Sequence, residues 1–204
     1  AASDVYKRQE FILGDLQEAI THLPSKMDGE NKGRACGDAC KALKARVLLY
    51  AASPLNNPSN DKKKWEEARD AAKEVIELPG YELSSDYRNM FLKDDKEIIF
   101  RKYYTKAQAN RVNLFNSPSG YGGWGGNCPL QNLVDDYEMQ ATGKRPLEGG
   151  SGYDPLHPYA GRDPRFYATI LYNGAMFRGR EVETFLPGGQ DSEEGAVGSW
   201  NCSQ

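Results

Sequence analysis

The chain has 204 residues, enough for one good-sized domain or two small ones. With 39% hydrophobic and 27% charged residues, it has the composition of a globular protein, not a disordered one. A net charge of −3 with no stripe of basic residues argues against nucleic acid as a partner. No run approaches the roughly 20 apolar residues that span a bilayer.

At the N-terminus, Ser3 to Gln9 (SDVYKRQ) resembles translated sequencing-adapter sequence. Residues 1–9 are therefore set aside as non-native, and the missing leader then carries no weight on localisation. Ile12, Leu16, Ala19, Ile20 and Leu23 have the spacing of an amphipathic helix over 10–23, which Pro24 ends. The strongest helix spans 35–52, with Ala39, Leu43, Val47 and Tyr50 on one face. It stops at Ser53-Pro54, because a proline ring disfavours a helical residue before it. A third helix spans 65–78, with Trp65, Ala68, Ala72, Val75 and Ile76 expected on its buried side, and Pro79-Gly80 ends it. Lys62, Lys63 and Lys64 read as its solvated approach. Alanines in both helices (Ala39, Ala42, Ala45 and Ala68, Ala71, Ala72) suit close approach, so the second and third helices predict an antiparallel hairpin of the tetratricopeptide kind.

From Tyr81 the pattern changes, and most of the 21 glycines fall after Gly120. Glu97–Tyr104 (EIIFRKYY) is rich in strand formers and predicts a strand. Pro129–Glu138 predicts a short helix with Leu130, Leu133, Val134 and Tyr137 on one side. Phe166–Tyr172 (FYATILY) alternates as a half-buried strand does. Asn173-Gly174 marks a turn after it, with Met176–Phe185 expected to return as its partner. Asp163-Pro164-Arg165 reads as a cap that pins a turn, although Arg162, Asp163 and Arg165 also have the look of functional charges.

Cys36 and Cys40 lie one helical turn apart and could face a metal, but neither a second Cys pair nor a His pair completes the set, since His22 and His157 are isolated. They read as small residues packed against a neighbouring helix. A Cys128–Cys202 disulfide is compatible with an exported protein, and the sequence leaves it open.

Two carboxylates facing one bond would signal a glycoside hydrolase, with Asp135, Asp136 and Glu138, or Asp94 and Asp95, as the candidates. Neighbours on a helix point about 100° apart, so Asp135 and Asp136 do not converge. No Gly-x-Ser-x-Gly elbow, His-Glu-x-x-His or phosphate-loop lysine is present. The chain thus predicts a binding protein, not an enzyme, with no catalytic residues. Sugar binding needs flat aromatic faces for C–H groups and planar polar groups for hydroxyls. Tyr121 and Trp124, set among Gly120, Gly122, Gly123, Gly125 and Gly126, supply the first. Asn113 and Asn116, with Asn110 and Arg111 on the same stretch, supply the second. The competing reading buries Trp124 as a loop anchor and leaves the glycines as turn formers.

Several segments together resemble the SusD/RagB family. They are GRACGDACKALKARVLLYAASPLNN from Gly33, WEEARDAAKEVIELPGYEL from Trp65, YRNMFL from Tyr87, EIIFRKYY from Glu97, GGWGGNCPLQNLVDDYEM from Gly122 and YAGRDPRFYATILYNG from Tyr159. The resemblance covers nearly everything from Glu10 to Asp191, as an internal fragment of a longer protein. It implies a mainly α fold, with tetratricopeptide-like helical hairpins over 10–96 and a loop-rich part with short β-strands over 97–191. Within an unassigned tail, 192–204, the stretch from Ala196 to Gln204 does not match the strand the resemblance implies after Gln190-Asp191.

The resemblance also implies a non-enzymatic, surface-exposed lipoprotein of the cell outer membrane of a Bacteroidota-like bacterium. Such a protein binds a polysaccharide or oligosaccharide and passes it to a SusC-like TonB-dependent transporter. Its membrane anchor would be a lipid absent from this sequence, and neither cofactor nor metal is implied. The alternatives from other classes are a helical-repeat protein-interaction scaffold, which the Gly- and aromatic-rich second half argues against, and a glycoside hydrolase.

Overall fold

In the computed structural model, which describes residues 2–192, the first helix, α1, runs from Ala2 to His22 and so continues through the segment set aside above. The backbone forms two compact units, one ending at Tyr103 and the other beginning at Tyr104. The first contains the three long helices and the second is mostly loop, so the protein is mainly α.

In the first unit α2 spans Gly37–Ala52 and α3 spans Lys62–Ile76. The start of α2 has no side-chain cap. Carbonyls just beyond α1 take over that task, Pro24 O accepting from Gly37 N at 2.8 Å and Ser25 O from Asp38 N at 3.1 Å. A Cβ on Gly37 would lie 3.4 Å from the Leu23 and Pro24 carbonyl oxygens, so a small residue suits this crossing. Farther along, Lys44 Nζ donates to Gln17 Oε1 at 2.9 Å, and Tyr6 OH, near the start of α1, donates to Asn56 O just past α2. The two helices therefore run antiparallel.

The hairpin of α2 and α3 is antiparallel as well. Lys41 near the start of α2 pairs with Glu74 near the end of α3 at 3.1 Å. The turn between them is held by buried Asn57. Its Nδ2 donates to Ala52 O and Asp61 O, and its Oδ1 accepts from Asp61 N at 2.9 Å. Asp61 then caps α3 by accepting from Lys63 N at 3.0 Å. The helical period is as expected, but the buried side is rotated. Ala68 and Ala71 are buried, while Trp65, Ala72 and Ile76 are exposed. On α2 the buried positions include Cys40 and Ala52, and Leu43 and Tyr50 remain exposed.

Residues 97–104 form no strand. They are irregular, with a turn at Glu97 and a bend at Ile99, and no neighbouring segment among the described residues offers a ladder. Strand propensity without a partner leaves backbone groups unpaired, so β-branched and aromatic residues alone do not make a strand here. Ile98, Ile99 and Phe100 instead line an apolar groove with Ala39 and Leu43 of α2.

The second unit contains α4 (Val112–Asn116), α5 (Gln131–Asp136) and α6 (Pro164–Thr169). It also holds the hairpin β1 (Met176–Phe177) with β2 (Arg180–Glu181). Helix α6 replaces the strand expected over 166–172. Asp163 caps it by accepting from Arg165 N at 2.7 Å, and Pro164 occupies its first turn, so local start signals outweigh the alternating pattern. Phe166 and Ile170, four residues apart, are both buried, the spacing of a helix. With Val134 they form a core against which Tyr137, Tyr159 and Tyr172 pack. The turn at Asn173-Gly174 is present, with Ala175 N bonded to Tyr172 O at 3.0 Å and Gly174 at φ +86°. Met176 then pairs with Glu181 within its own short hairpin.

Arg162 is 1% exposed in this core. Its guanidinium donates to Pro158 O and Tyr137 O at 2.9 and 3.0 Å and also to Val134 O. It thereby satisfies carbonyls at the end of α5. Asp163 is the α6 cap, and the hydrogen bond and charge of Arg165 hold its carboxyl below the ordinary carboxylate range. These charges are spent on structure.

Candidate ligand-binding site

The glycine-rich stretch is folded back on α4. Trp124 N donates to Leu114 O at 2.8 Å, Gly125 N to Ser117 O at 3.1 Å and Gly126 N to Phe115 O at 2.6 Å. This close approach explains the glycines, since a Cβ on Gly123 would lie 2.0 Å from Ser117 O and one on Gly126 2.9 Å from Phe115 O.

Against this backbone Trp124 stays 49% exposed, its ring edge-on to Phe115 with centroids 5.1 Å apart. The pair is braced yet accessible, which is the geometry a stacking platform needs. Alongside, Asn127 Nδ2 donates to Asn116 Oδ1 at 2.7 Å. That bond leaves Asn116 Nδ2 as a donor and Asn127 Oδ1 as an acceptor, a complementary pair for adjacent hydroxyls. Asn127 was not singled out from sequence. Its one legible signal is that it follows the glycines directly, and only the folding back brings it to Asn116.

The other residues expected at the site differ in place. Asn113 is exposed, and its carbonyl accepts from Ser117 N at 3.0 Å. Asn110 Oδ1 is used by Val112 N at 3.1 Å at the start of α4. Tyr121 is half-buried and faces the hairpin. Its hydroxyl donates to Phe177 O at 2.7 Å, its ring lies edge-on to Phe177 at 5.0 Å, and the Arg180 guanidinium sits 4.0 Å from its centroid. The folding back thus lays the segment carrying Trp124 and Asn127 along the one carrying Asn116, while Tyr121 is turned to the hairpin.

The four aspartates considered for hydrolysis have structural partners, Asp95 accepting from Ser84 Oγ at 3.0 Å and from Glu97 N at 3.0 Å. Asp135 accepts from Gln131, Asp136 pairs with Arg145, and Asp94 is shared by Lys32 and Arg101. Cys36 and Cys40 are buried free thiols, and burial pushes the Cys40 thiol up. Among the described residues no group of three or more His, Cys, Asp and Glu side chains is placed to hold a metal, and no helix is long and apolar enough to cross a membrane. Cys202 lies outside the described residues, and so does its proposed pairing with Cys128.

The SusD family model matches residues 96–202, a little over half of the chain. A SusD-like protein of Bacteroides ovatus is 34% identical over 82 residues, which cover 40% of this chain and 14% of that protein. A crystal structure of a SusD-like protein from Bacteroides fragilis superposes with a TM-score of 0.66 at 31% identity, covering 92% of this chain and 40% of the other. A second crystal structure from Bacteroides fragilis, of a SusD-like carbohydrate binding protein, gives a TM-score of 0.72 at 25% identity, covering 86% and 33%. The chain therefore spans less than half the length of these relatives. By the family match across its second half and this likeness in fold, the chain belongs to the SusD family.

Proposed function

We propose that this chain is part of a glycan-binding protein of the outer-membrane surface, one that captures an oligosaccharide and passes it to a SusC-like TonB-dependent transporter. The observation that carries the reading is the braced, half-exposed Trp124 ring on the same folded-back stretch as the Asn116–Asn127 amide pair. A sugar ring presents a flat C–H face and a rim of hydroxyls, and this surface offers a partner for each. Two further points support it: a family member of similar fold is described as carbohydrate binding, and Asp135 and Asp136 are engaged by Gln131 and Arg145. Binding without chemistry is the reading. Tyr121 serves it by holding the loop, and Asn113 flanks the platform at the start of the same stretch.

The test is a titration of the protein with neutral plant and storage polysaccharides, comparing the wild type with Trp124→Ala and Asn127→Ala. Loss of a stacking ring costs about 1 kcal/mol or more, roughly a five- to tenfold weaker affinity. Asn127→Ala removes one acceptor and frees its partner, for a loss of about 1 kcal/mol. If both variants keep their circular dichroism and bind as the wild type does, the loop is not the site. Transporter partnership is checked by co-purification from detergent-solubilised outer membranes.

A further inference from the structure

Beside the Trp124 platform the second unit has a cavity of about 320 Å³. Asn116 and Asn127 line it, and so does Gly125, the residue after Trp124, so the stretch that carries Trp124 borders the cavity. The rest of the wall is of two kinds. Thr169 and Thr184 contribute hydroxyls, and Leu171 and Val182 contribute apolar surface. A pyranose ring has the same two characters, hydroxyls at its rim and C–H groups on its faces. The volume lies at the low end of the roughly 300–1,000 Å³ typical of ligand pockets, room for one ring and not for a run of several.

The charge of the wall narrows the class further. Among the described lining residues the only charged one is Asp191, and its side chain is fully buried. Its carboxylate is already engaged by both terminal nitrogens of Arg180 and by Glu183 N. Among the described lining residues no cation is available to a uronate or a sulfate ester. Burying an unpaired charge is costly.

We infer that this cavity takes a single neutral sugar ring, the end or a one-ring branch of a glycan, while the adjoining ring stacks on Trp124. The inference rests on the proposed glycan-binding function and adds to it the part of the glycan that is recognised and its charge.

The experiment uses an array of neutral oligosaccharides (glucan, xylan, mannan and galactan series) beside oligogalacturonides and sulfated galactans. It compares wild type, Trp124→Ala, and two cavity-filling variants, Thr169→Tyr and Thr184→Tyr. Both threonines are exposed, so an added ring can enter the opening without disturbing the core. On the neutral oligosaccharide bound best, each filling variant should weaken binding by roughly tenfold, about 1.4 kcal/mol. The methyl glycoside of its terminal sugar should compete in the wild type and not in the filled variants. If folded Thr169→Tyr and Thr184→Tyr both bind as the wild type does while Trp124→Ala fails, the cavity inference is overturned and the proposed function stands. If Trp124→Ala also binds normally, the proposed site itself fails. Binding confined to the oligogalacturonides or sulfated galactans overturns the neutral assignment. Binding to no member of the array overturns both readings.

Discussion

Arg180 holds Asp191 with both terminal nitrogens of its guanidinium, Nη1 to Oδ2 at 2.7 Å and Nη2 to Oδ1 at 2.9 Å. The Asp191 side chain is fully buried, the Arg180 side chain is 30% exposed, and the guanidinium lies 4.0 Å from the Tyr121 ring centroid. Ser119 Oγ adds a hydrogen bond to Asp191 O at 3.0 Å. One ion pair thus ties residue 191 to β2 and to the loop that leads to Trp124.

The pair makes stability depend on pH in a defined direction. Burial alone would raise the Asp191 carboxyl, but hydrogen bonds from Arg180 and Glu183 N and the charge of Arg180 outweigh it and hold the group below its ordinary range. A carboxylate with a depressed folded pKa contributes stability that is fully present above its unfolded value, about 3.9, and is lost as pH falls through the folded value. Asp191→Asn should therefore cost about 2 kcal/mol at pH 7 and show a shallower loss of Tm on acidification than the wild type. Parallel Tm-against-pH curves would remove Asp191 from the account.

The loop geometry predicts unequal glycines. Gly123→Ala places a methyl 2.0 Å from Ser117 O and should cost about 3 kcal/mol, with loss of the Trp124 platform. Gly122 has open space but φ +72°, so Gly122→Ala should cost only about 1 kcal/mol. Denaturant midpoints measure both, and equal small losses would contradict the close approach.

Tyr121→Phe separates support from stacking. It removes the hydrogen bond to Phe177 O and should lower stability by about 1 kcal/mol, with sugar affinity unchanged. A stable variant with weakened affinity would instead put the Tyr121 hydroxyl in contact with the ligand.

Arg162→Lys tests the carbonyl clasp at the end of α5. A lysine ammonium cannot serve the spread carbonyls of Pro158, Val134 and Tyr137 as a planar guanidinium does, so about 3 kcal/mol should be lost. The denaturation midpoint should fall with little change in slope. An unchanged midpoint would mean that backbone bonds, not the guanidinium, hold this end of the helix.

The sequence by itself determined α2, α3 and the part of α1 from Glu10 onward, the antiparallel hairpin and the cap at Asp163, because these depend on apolar period and on residues within a few positions of one another. It also marked Trp124 and Asn116, whose chemistry is carried by residue type. It misplaced the strands at 97–104 and 166–172. The first has no segment to pair with, and the second yields to the Asp163-Pro164 start signal, which makes Phe166 and Ile170 one face of a helix. Only the tertiary structure decided that Tyr121 faces inward to Arg180, that Asn127 meets Asn116, and that a cavity opens beside them. Those facts depend on how a glycine-rich loop folds back on α4, and glycine, which admits many backbone conformations, leaves that path unspecified until packing selects one.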